Sequence, residues 1–443
     1  MRRHAAADLS GLRGRRILIA LSGGADSVAL AAMLAEARSA LDLELFAAHM
    51  DHAIRPESAG DAAFCRDLCR RLAISFHETR VDVPAEARRT GEGLETCARR
   101  LRYRWLRAVK AEVGADVIAL AHHLDDQAET VLMHLARGTG PEGIGGMRAR
   151  SGDLVRPLLG LRKAELIDFL NARGLSWRED ATNALADTPR NALRLHGIPA
   201  LEQSYPRFAL AAARYAEAAQ IESDYLAEQT DAFLEKRHIS GPFGDFLGLT
   251  PPPHPAILRR ALRRFCPAGT DWEKLRELEM LCAATHGKLE ICGSLAAERG
   301  HRGLYFLPKR PASTEEIPLR LHGATALNGL CEITAADAPP VPVADDAMTQ
   351  VLDADALSGA VLRTRRDGDR IRPLGCGEKL LSDYFTDKKV DRPLRDHVAL
   401  VARGDDILWA LGLGIAEGAK LTESTRRAIR LSGQYSFDIS TLY

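Results

Sequence analysis

From residue 15 to about residue 135, short apolar runs alternate with helix-length amphipathic stretches. Ile17–Leu21, Leu43–His49, Ser75–Val81 and Asp116–Ala121 read as strands. Helical patterns run from Ser27 to Ser39, from Ala59 to Leu72 and from Leu94 to Val113. Strands separated by helix-length connections imply right-handed crossovers, and therefore an α/β, doubly wound parallel sheet. Such sheets bind ligands beyond the carboxyl ends of their strands. From about Glu202 to Leu281 the pattern turns helical, interrupted at Pro251-Pro252-Pro253. Ala335–Val343, with Pro339, Pro340 and Pro342, reads as a linker, and Val351–Tyr443 as a glycine-punctuated α+β region. The expected organisation is a parallel-sheet domain over residues 1–215, a mainly helical middle domain over 216–335 and an α+β domain over 345–443.

Length agrees, since 443 residues at about 150 per domain give roughly three domains. With 46% hydrophobic and 27% charged residues the chain can build ordinary cores. A formal charge of zero excludes a polybasic chain, so any RNA contact must come from local charge segregation. The eight cysteines form no C-x-x-C pair and are too dispersed for a disulfide framework, which points to a reducing, cytoplasmic compartment. No apolar run approaches the ~20 residues that span a bilayer. The run after Arg15-Arg16 is too short for a signal segment and feeds directly into Ser22-Gly23-Gly24, as a buried strand would.

That junction carries the strongest local chemistry. Ser22, Gly23, Gly24, Ala25, Asp26 and Ser27 follow an apolar strand and open a helix. Glycines let backbone approach a phosphate, and the helix N-terminus offers free N–H groups and a positive dipole end. Asp26 beside phosphates calls for a cation, for which Mg²⁺ is the obvious choice. The G-K-[ST] ending of a Walker loop is absent.

Further segments add charge. Ala121-His122-His123-Leu124-Asp125-Asp126-Gln127-Ala128-Glu129-Thr130 leaves a strand and enters a helix. Glu129 can face either aspartate, and three carboxylates so close need a metal or an ammonium between them. A dense basic helix carries Arg99, Arg100, Arg102, Tyr103, Arg104 and Arg107, suited to bidentate phosphate contact. Arg137-Gly138-Thr139-Gly140-Pro141 through Met147 is a glycine-rich loop able to close over a nucleotide or merely connect. Trp177-Arg178-Glu179-Asp180 and Arg190-Asn191-Ala192-Leu193-Arg194 flank a polar loop. Late in the chain, Arg370, Lys388, Lys389 and Arg392 belong to a basic concentration suited to RNA phosphates.

Ser22–Ser27 resembles the S-G-G-x-D-S signature of the PP-loop ATP pyrophosphatase superfamily. The ordered set of H-x-D-H at His49–His52, A-R-R-x-R-Y at Ala98–Tyr103, H-L-D-D-Q-x-E-T, R-G-x-G-P at Arg137–Pro141, R-P-L-L at Arg156–Leu159 and R-N-x-L-R resembles bacterial tRNA(Ile)-lysidine synthetases. Gly368-Asp369-Arg370, Pro373-Leu374-Gly375 and Arg395-Asp396 extend the likeness to the C-terminal region. The resemblance implies a ligase that adenylates C2–O of the wobble cytidine in a tRNA(Ile) with a CAU anticodon. Free L-lysine then attacks, leaving lysidine, AMP and pyrophosphate, and decoding shifts from AUG to AUA. It also implies roles: Ser22–Ser27 for ATP, Asp26 for Mg²⁺ or proton transfer, Arg102 for charge on the nucleotide, Asp126 and Glu129 for lysine, and Asp125 nearer the metal. A PP-loop tRNA sulfurtransferase (thiolase) is the alternative, kept open by Cys97 beside the arginine-rich helix, where a low thiol pKa would favour sulfur chemistry.

Overall fold

Ile17, Leu18 and Ile19 expose no surface, which makes the first apolar run the centre of a sheet rather than an edge. The computed structural model describes residues 7–53, 58–179, 188–309, 315–327, 329–343 and 346–437. It divides into two compact units, Met1–Asp224 and Tyr225–Tyr443.

In the first unit the strands are β1 (Arg16–Ala20), β2 (Glu44–Asp51), β3 (Ser75–Arg80), β4 (Val117–Ala119), β5 (Arg150–Ser151) and β6 (Leu154–Val155). They form one sheet in the order β3-β2-β1-β4-β6-β5. All neighbours are parallel except the β5–β6 pair at the edge. The connecting helices are α1 (Ala25–Leu41), α2 (Ser58–Arg71), α3 (Val83–Thr90), α4 (Leu94–Val113), α5 (Leu124–Ala136), α6 (Pro141–Ile144), α7 (Lys163–Ala172) and α8 (Pro189–Ala192). A turn of π-helix, Leu193–Gly197, continues α8 and leads into α9 (Ile198–Ser204) and the long α10 (Phe208–Arg237).

Both sheet faces are covered. Ile17 and Ile19 pack with Val28, Leu30 and Leu34 of α1 and with Leu166, Phe169 and Leu170 of α7. Leu18 points the other way, with Phe46, Ile118 and Leu120, against Leu106 and Val109 of α4. The alternation along β1 thus feeds two cores, and the crossing order reverses between β1 and β4. That reversal splays the loops after these strands and opens a crevice there.

The second unit corrects two expectations. The stretch read as mainly helical does contain α11 (Pro255–Phe265) and α12 (Trp272–Ala283). It also carries a five-stranded antiparallel sheet: β7 (His238–Gly241), β8 (Gly244–Gly248), β9 (Gly287–Cys292), β10 (Leu295–Arg299) and β11 (Gly303–Pro308). These strands are short, with polar residues and glycines at their ends, so no long period-2 pattern announces them. The expected linker is also shorter than read, because residues 331–338 form a strand paired along its length with Ala428–Tyr435. The rest of the unit is two further sheets and α13 (Leu381–Asp387). A fully enclosed Arg363–Asp369 ion pair, 2.7 Å, lies among them. No described helix is long and apolar enough to cross a membrane.

Candidate active site

The loop between β1 and α1 is shaped by its own side chains. Ser27 Oγ accepts hydrogen bonds from the amides of Ser22 and Gly23, 3.2 Å each, and donates to the Gly24 carbonyl at 3.0 Å. Gly23 has φ +89°, and a Cβ there would stand 3.2 Å from Cys65 Sγ, so both conformation and space demand glycine. Gly24 caps α1 without a side-chain acceptor, which leaves first-turn N–H groups of a 17-residue helix available to an anion. Ser22–Ser27 thus set two glycines beside the free first-turn N–H groups of α1, an arrangement that can hold an anion.

Beside the loop lies a cavity of about 430 Å³. Ala20, Leu21, Ala48, Met50, Leu106 and Leu120 give it an apolar wall, and Ser22, Asp26, Arg102 and Asp126 a polar one. The volume and the divided lining suit a nucleoside with its phosphates toward the loop. Arg102 alone among the arginines of α4 lines it. Arg100 is bound to Glu92, Arg107 faces Asp153 at 3.6 Å, and Arg99 lies over the Tyr103 ring at 5.0 Å. Burial depresses the pKa of Arg102, and no described carboxylate pairs with it. A largely enclosed guanidinium of this kind favours an anion. Asp26 sits opposite in character: burial raises its pKa against the pull of His123 and Lys163. Its Oδ1 is buried with no hydrogen-bond partner among the described residues, and Oδ2 lies 3.7 Å from His123 Nε2.

The acidic turn of α5 is held from two sides. His123 caps the helix, accepting from the Asp126 amide while Asp126 Oδ2 accepts from the His123 amide at 3.1 Å. Asp126 Oδ1 accepts from Arg190 Nη2 and Arg194 Nη2, at 3.0 and 3.1 Å. Glu129, only 1% exposed, takes Arg190 Nε at 2.7 Å on one oxygen and Arg194 Nε at 2.6 Å on the other. Although burial alone would raise the Asp126 pKa, His123 and Arg190 bring it below the ordinary value. Asp126 and Glu129 are thus brought together as the i, i+3 spacing implies, and two arginines stand where a single ammonium was expected. Only Asp126 of the pair lines the cavity.

Asp125 goes elsewhere. Its Oδ1 meets Arg162 Nε at 2.8 Å, and its Oδ2 accepts from the Lys163 amide at 2.8 Å. It ties α5 to the start of α7, and it does not line the cavity with Asp26. The structure therefore does not join Asp26 and Asp125 as a metal pair. Among the described residues no three His, Cys, Asp or Glu side chains cluster as a metal site. Asp26, with its orphaned oxygen, is the position that fits a cation.

Cys97 exposes no surface and packs with Val83, Leu101 and the cavity-wall residue Met50, but it does not itself line the cavity. The glycine-rich loop is pinned at its far end, where Gln127 Nε2 donates to the Met147 carbonyl at 2.9 Å and Oε1 accepts from its amide at 2.8 Å. Gly146, at φ +59°, leaves room for that contact. Asp180 lies outside the described residues. In the second unit Lys388, Lys389 and Arg392 are exposed, without a carboxylate partner among the described residues, whereas Arg370 is paired with Glu378. Sequence reasoning did not place Arg190, Arg194, Arg162, His123 or His49 in the site. The signal for the first two was available: R-N-A-L-R sets two arginines four apart, the spacing that meets paired carboxylates.

Residues 2–201 match the PP-loop domain family, and residues 360–432 match the TilS substrate C-terminal domain family. The chain is 42% identical to a tRNA(Ile)-lysidine synthase of Thermus thermophilus, over 90% of this chain and 69% of that protein. It is 30% identical to one from Caldanaerobacter subterraneus, over 94% of this chain and 92% of the relative. A third, from Symbiobacterium thermophilum, is 34% identical over 95% of this chain and 94% of its own length.

Proposed function

The chain belongs to the tRNA(Ile)-lysidine synthase family, ATP-dependent ligases, and on that premise we propose that it joins free L-lysine to C2 of the wobble cytidine in a CAU-anticodon tRNA(Ile). The cytosine C2 oxygen attacks the α-phosphorus of ATP and pyrophosphate leaves. The ε-amine of lysine then attacks C2, the C2–O bond breaks, AMP departs with that oxygen, and the amine loses a proton. The product carries lysidine and reads AUA. A cytoplasmic setting fits this chemistry.

The observation that carries the reading is one cavity joining an uncapped helix N-terminus, an Arg102 that no described carboxylate pairs with, and the Asp126 carboxylate. Ser22–Ser27 hold the phosphates, and Arg102 neutralises charge that grows on the nucleotide as pyrophosphate leaves. Asp26 is the residue that fits Mg²⁺; when bound, the cation offsets a carboxylate set beside phosphates. Asp126 offers a carboxylate to the lysine ammonium. Arg190 and Arg194, with side chains 33% and 29% exposed, present guanidinium edges to its α-carboxylate. Glu129, fully enclosed, orients both arginines.

Incubation with ATP, labelled lysine and a CAU tRNA(Ile) transcript tests this. AMP and tRNA-bound lysine should appear in equal amounts. AMP formed with tRNA but without lysine incorporation would overturn it.

A further inference from the structure

His49 lies near the carboxyl end of β2, 5% exposed, with its ring against the phosphate loop, and it is one of the residues that line the cavity. Its Nδ1 is 2.9 Å from the Leu21 carbonyl oxygen. A carbonyl oxygen only accepts, so Nδ1 carries the proton and donates. In the neutral ring Nε2 is then a bare acceptor. Among the described residues Nε2 is buried and has no hydrogen-bond partner, although the surrounding wall includes Leu21, Ala48 and Met50. A buried acceptor in apolar surroundings is costly unless something donates to it. Cys65 Sγ, 3.5 Å from Nδ1, lies on the other side of the ring from this requirement.

We infer that His49 Nε2 accepts a hydrogen bond from the nucleoside part of ATP, making His49 a specificity-determining residue for the nucleotide. The inference rests on the cavity's being the ATP site. ATP offers two kinds of neutral donor, the 6-amino group of the base and the ribose hydroxyls, and His49 reads one of them. The Nδ1 contact fixes the tautomer, so Leu21, the residue after β1, sets the hydrogen-bonding sense of a side chain on β2. The phosphate loop begins at that same carbonyl, which couples base or sugar recognition to the placement of the phosphates.

The test measures the affinity of the full chain for ATP, 2′-deoxy-ATP, 3′-deoxy-ATP and the triphosphate of purine riboside, which lacks the 6-amino group. In the unaltered protein one analogue should bind about tenfold more weakly than ATP, the effect of one buried hydrogen bond. His49→Asn keeps a donor where Nδ1 stands but removes the acceptor. It should weaken ATP by about tenfold and erase the penalty on that one analogue. His49→Gln returns an acceptor near the Nε2 position and should restore discrimination. Which analogue responds tells base from sugar. Equal affinity for all four nucleotides in the unaltered chain would overturn the inference whether or not the variants fold. So would an analogue penalty that persists unchanged in a folded His49→Asn. Failure of the unaltered chain to bind ATP at all would instead remove the nucleotide assignment of the cavity, an outcome visible in the same titration.

Discussion

Asp26 is a carboxylate placed where burial opposes its charge. Its raised pKa means that the folded chain holds this proton more tightly than the unfolded chain does. The ionised form consequently works against folding at neutral pH, and the penalty fades as pH falls toward the ordinary value of 3.8. Asp26→Asn should therefore raise the melting temperature of the N-terminal unit at pH 7 and lose that advantage on acidification. The same variant should lower AMP formation by at least about 100-fold, because it deletes the oxygen that fits the cation. Thermal melts at two pH values and an AMP assay check both halves, and a folded variant with near-normal turnover would remove Asp26 from the chemistry. Cys97 poses the opposite case, a residue with suggestive neighbours and no access. Arg100 does reach its sulfur, at 3.7 Å, yet the thiol is enclosed among apolar side chains. Cys97→Ala should leave lysine incorporation within about twofold of the original, with a stability loss of about 1 kcal/mol from the small cavity. Abolished product in a folded, ATP-binding variant would favour sulfur transfer. The phosphate loop was legible from residues because local spacing suffices to define it. Asp125 was not, because Arg162 and Lys163, which claim it, lie nearly forty positions away.

At the scale of elements, the start of α5 and the α8–π-helix segment form one ionic latch. The sequence placed Asp126 and Glu129 on a shared face and set Arg190 and Arg194 one helical turn apart. It could not show that the two faces meet across more than sixty residues. The π-turn at Leu193–Gly197 widens the helix where Arg194 bends toward Glu129. Because Glu129 is enclosed, Glu129→Gln leaves two guanidiniums short of a charge and should cost about 1–3 kcal/mol. Asp126→Asn, at the cavity wall, should mainly raise the lysine KM while tRNA adenylation is substantially preserved. If both residues serve one arrangement, the double variant should be far less than additive. Separate measurement of the adenylated intermediate and of lysine incorporation decides. Failure of adenylation in Asp126→Asn, with unaltered lysine dependence in the residual activity, would exclude Asp126 from the lysine site. The five-stranded sheet was hidden for a related reason: β7 to β11 are short, and their pairing is between segments rather than within one.

Across the whole molecule, a chain with zero formal charge still groups, at one place in its second unit, exposed cations with no carboxylate partner among the described residues. Lys388 ends α13 with its ammonium 5.7 Å from the centre of the Tyr384 ring. Lys389 follows in a left-handed conformation at φ +56°, and Arg392 begins the next turn. Basic side chains that neutralise no carboxylate are available to neutralise phosphate. Arg370, already engaged by Glu378, is the weaker member of the expected set. Its sequence neighbours gave no warning, since Glu378 faces it only after two short strands, Arg370–Ile371 and Lys379–Leu380, pair. Binding through phosphate contacts releases counterions, so affinity must fall as salt rises, with a slope of about 0.7–0.9 per contact. Lys388→Glu with Lys389→Glu should weaken tRNA(Ile) binding and flatten the slope of log Kd against log salt by about 2. Affinity for ATP should stay unchanged, because every residue lining the proposed nucleotide cavity belongs to the first unit. Titrations at several salt concentrations separate the outcomes: a parallel loss of ATP binding would mean that the variant is damaged globally. An unchanged slope with weaker tRNA binding would mean that these lysines act through shape, and an unchanged affinity would place the phosphate contacts elsewhere on the chain.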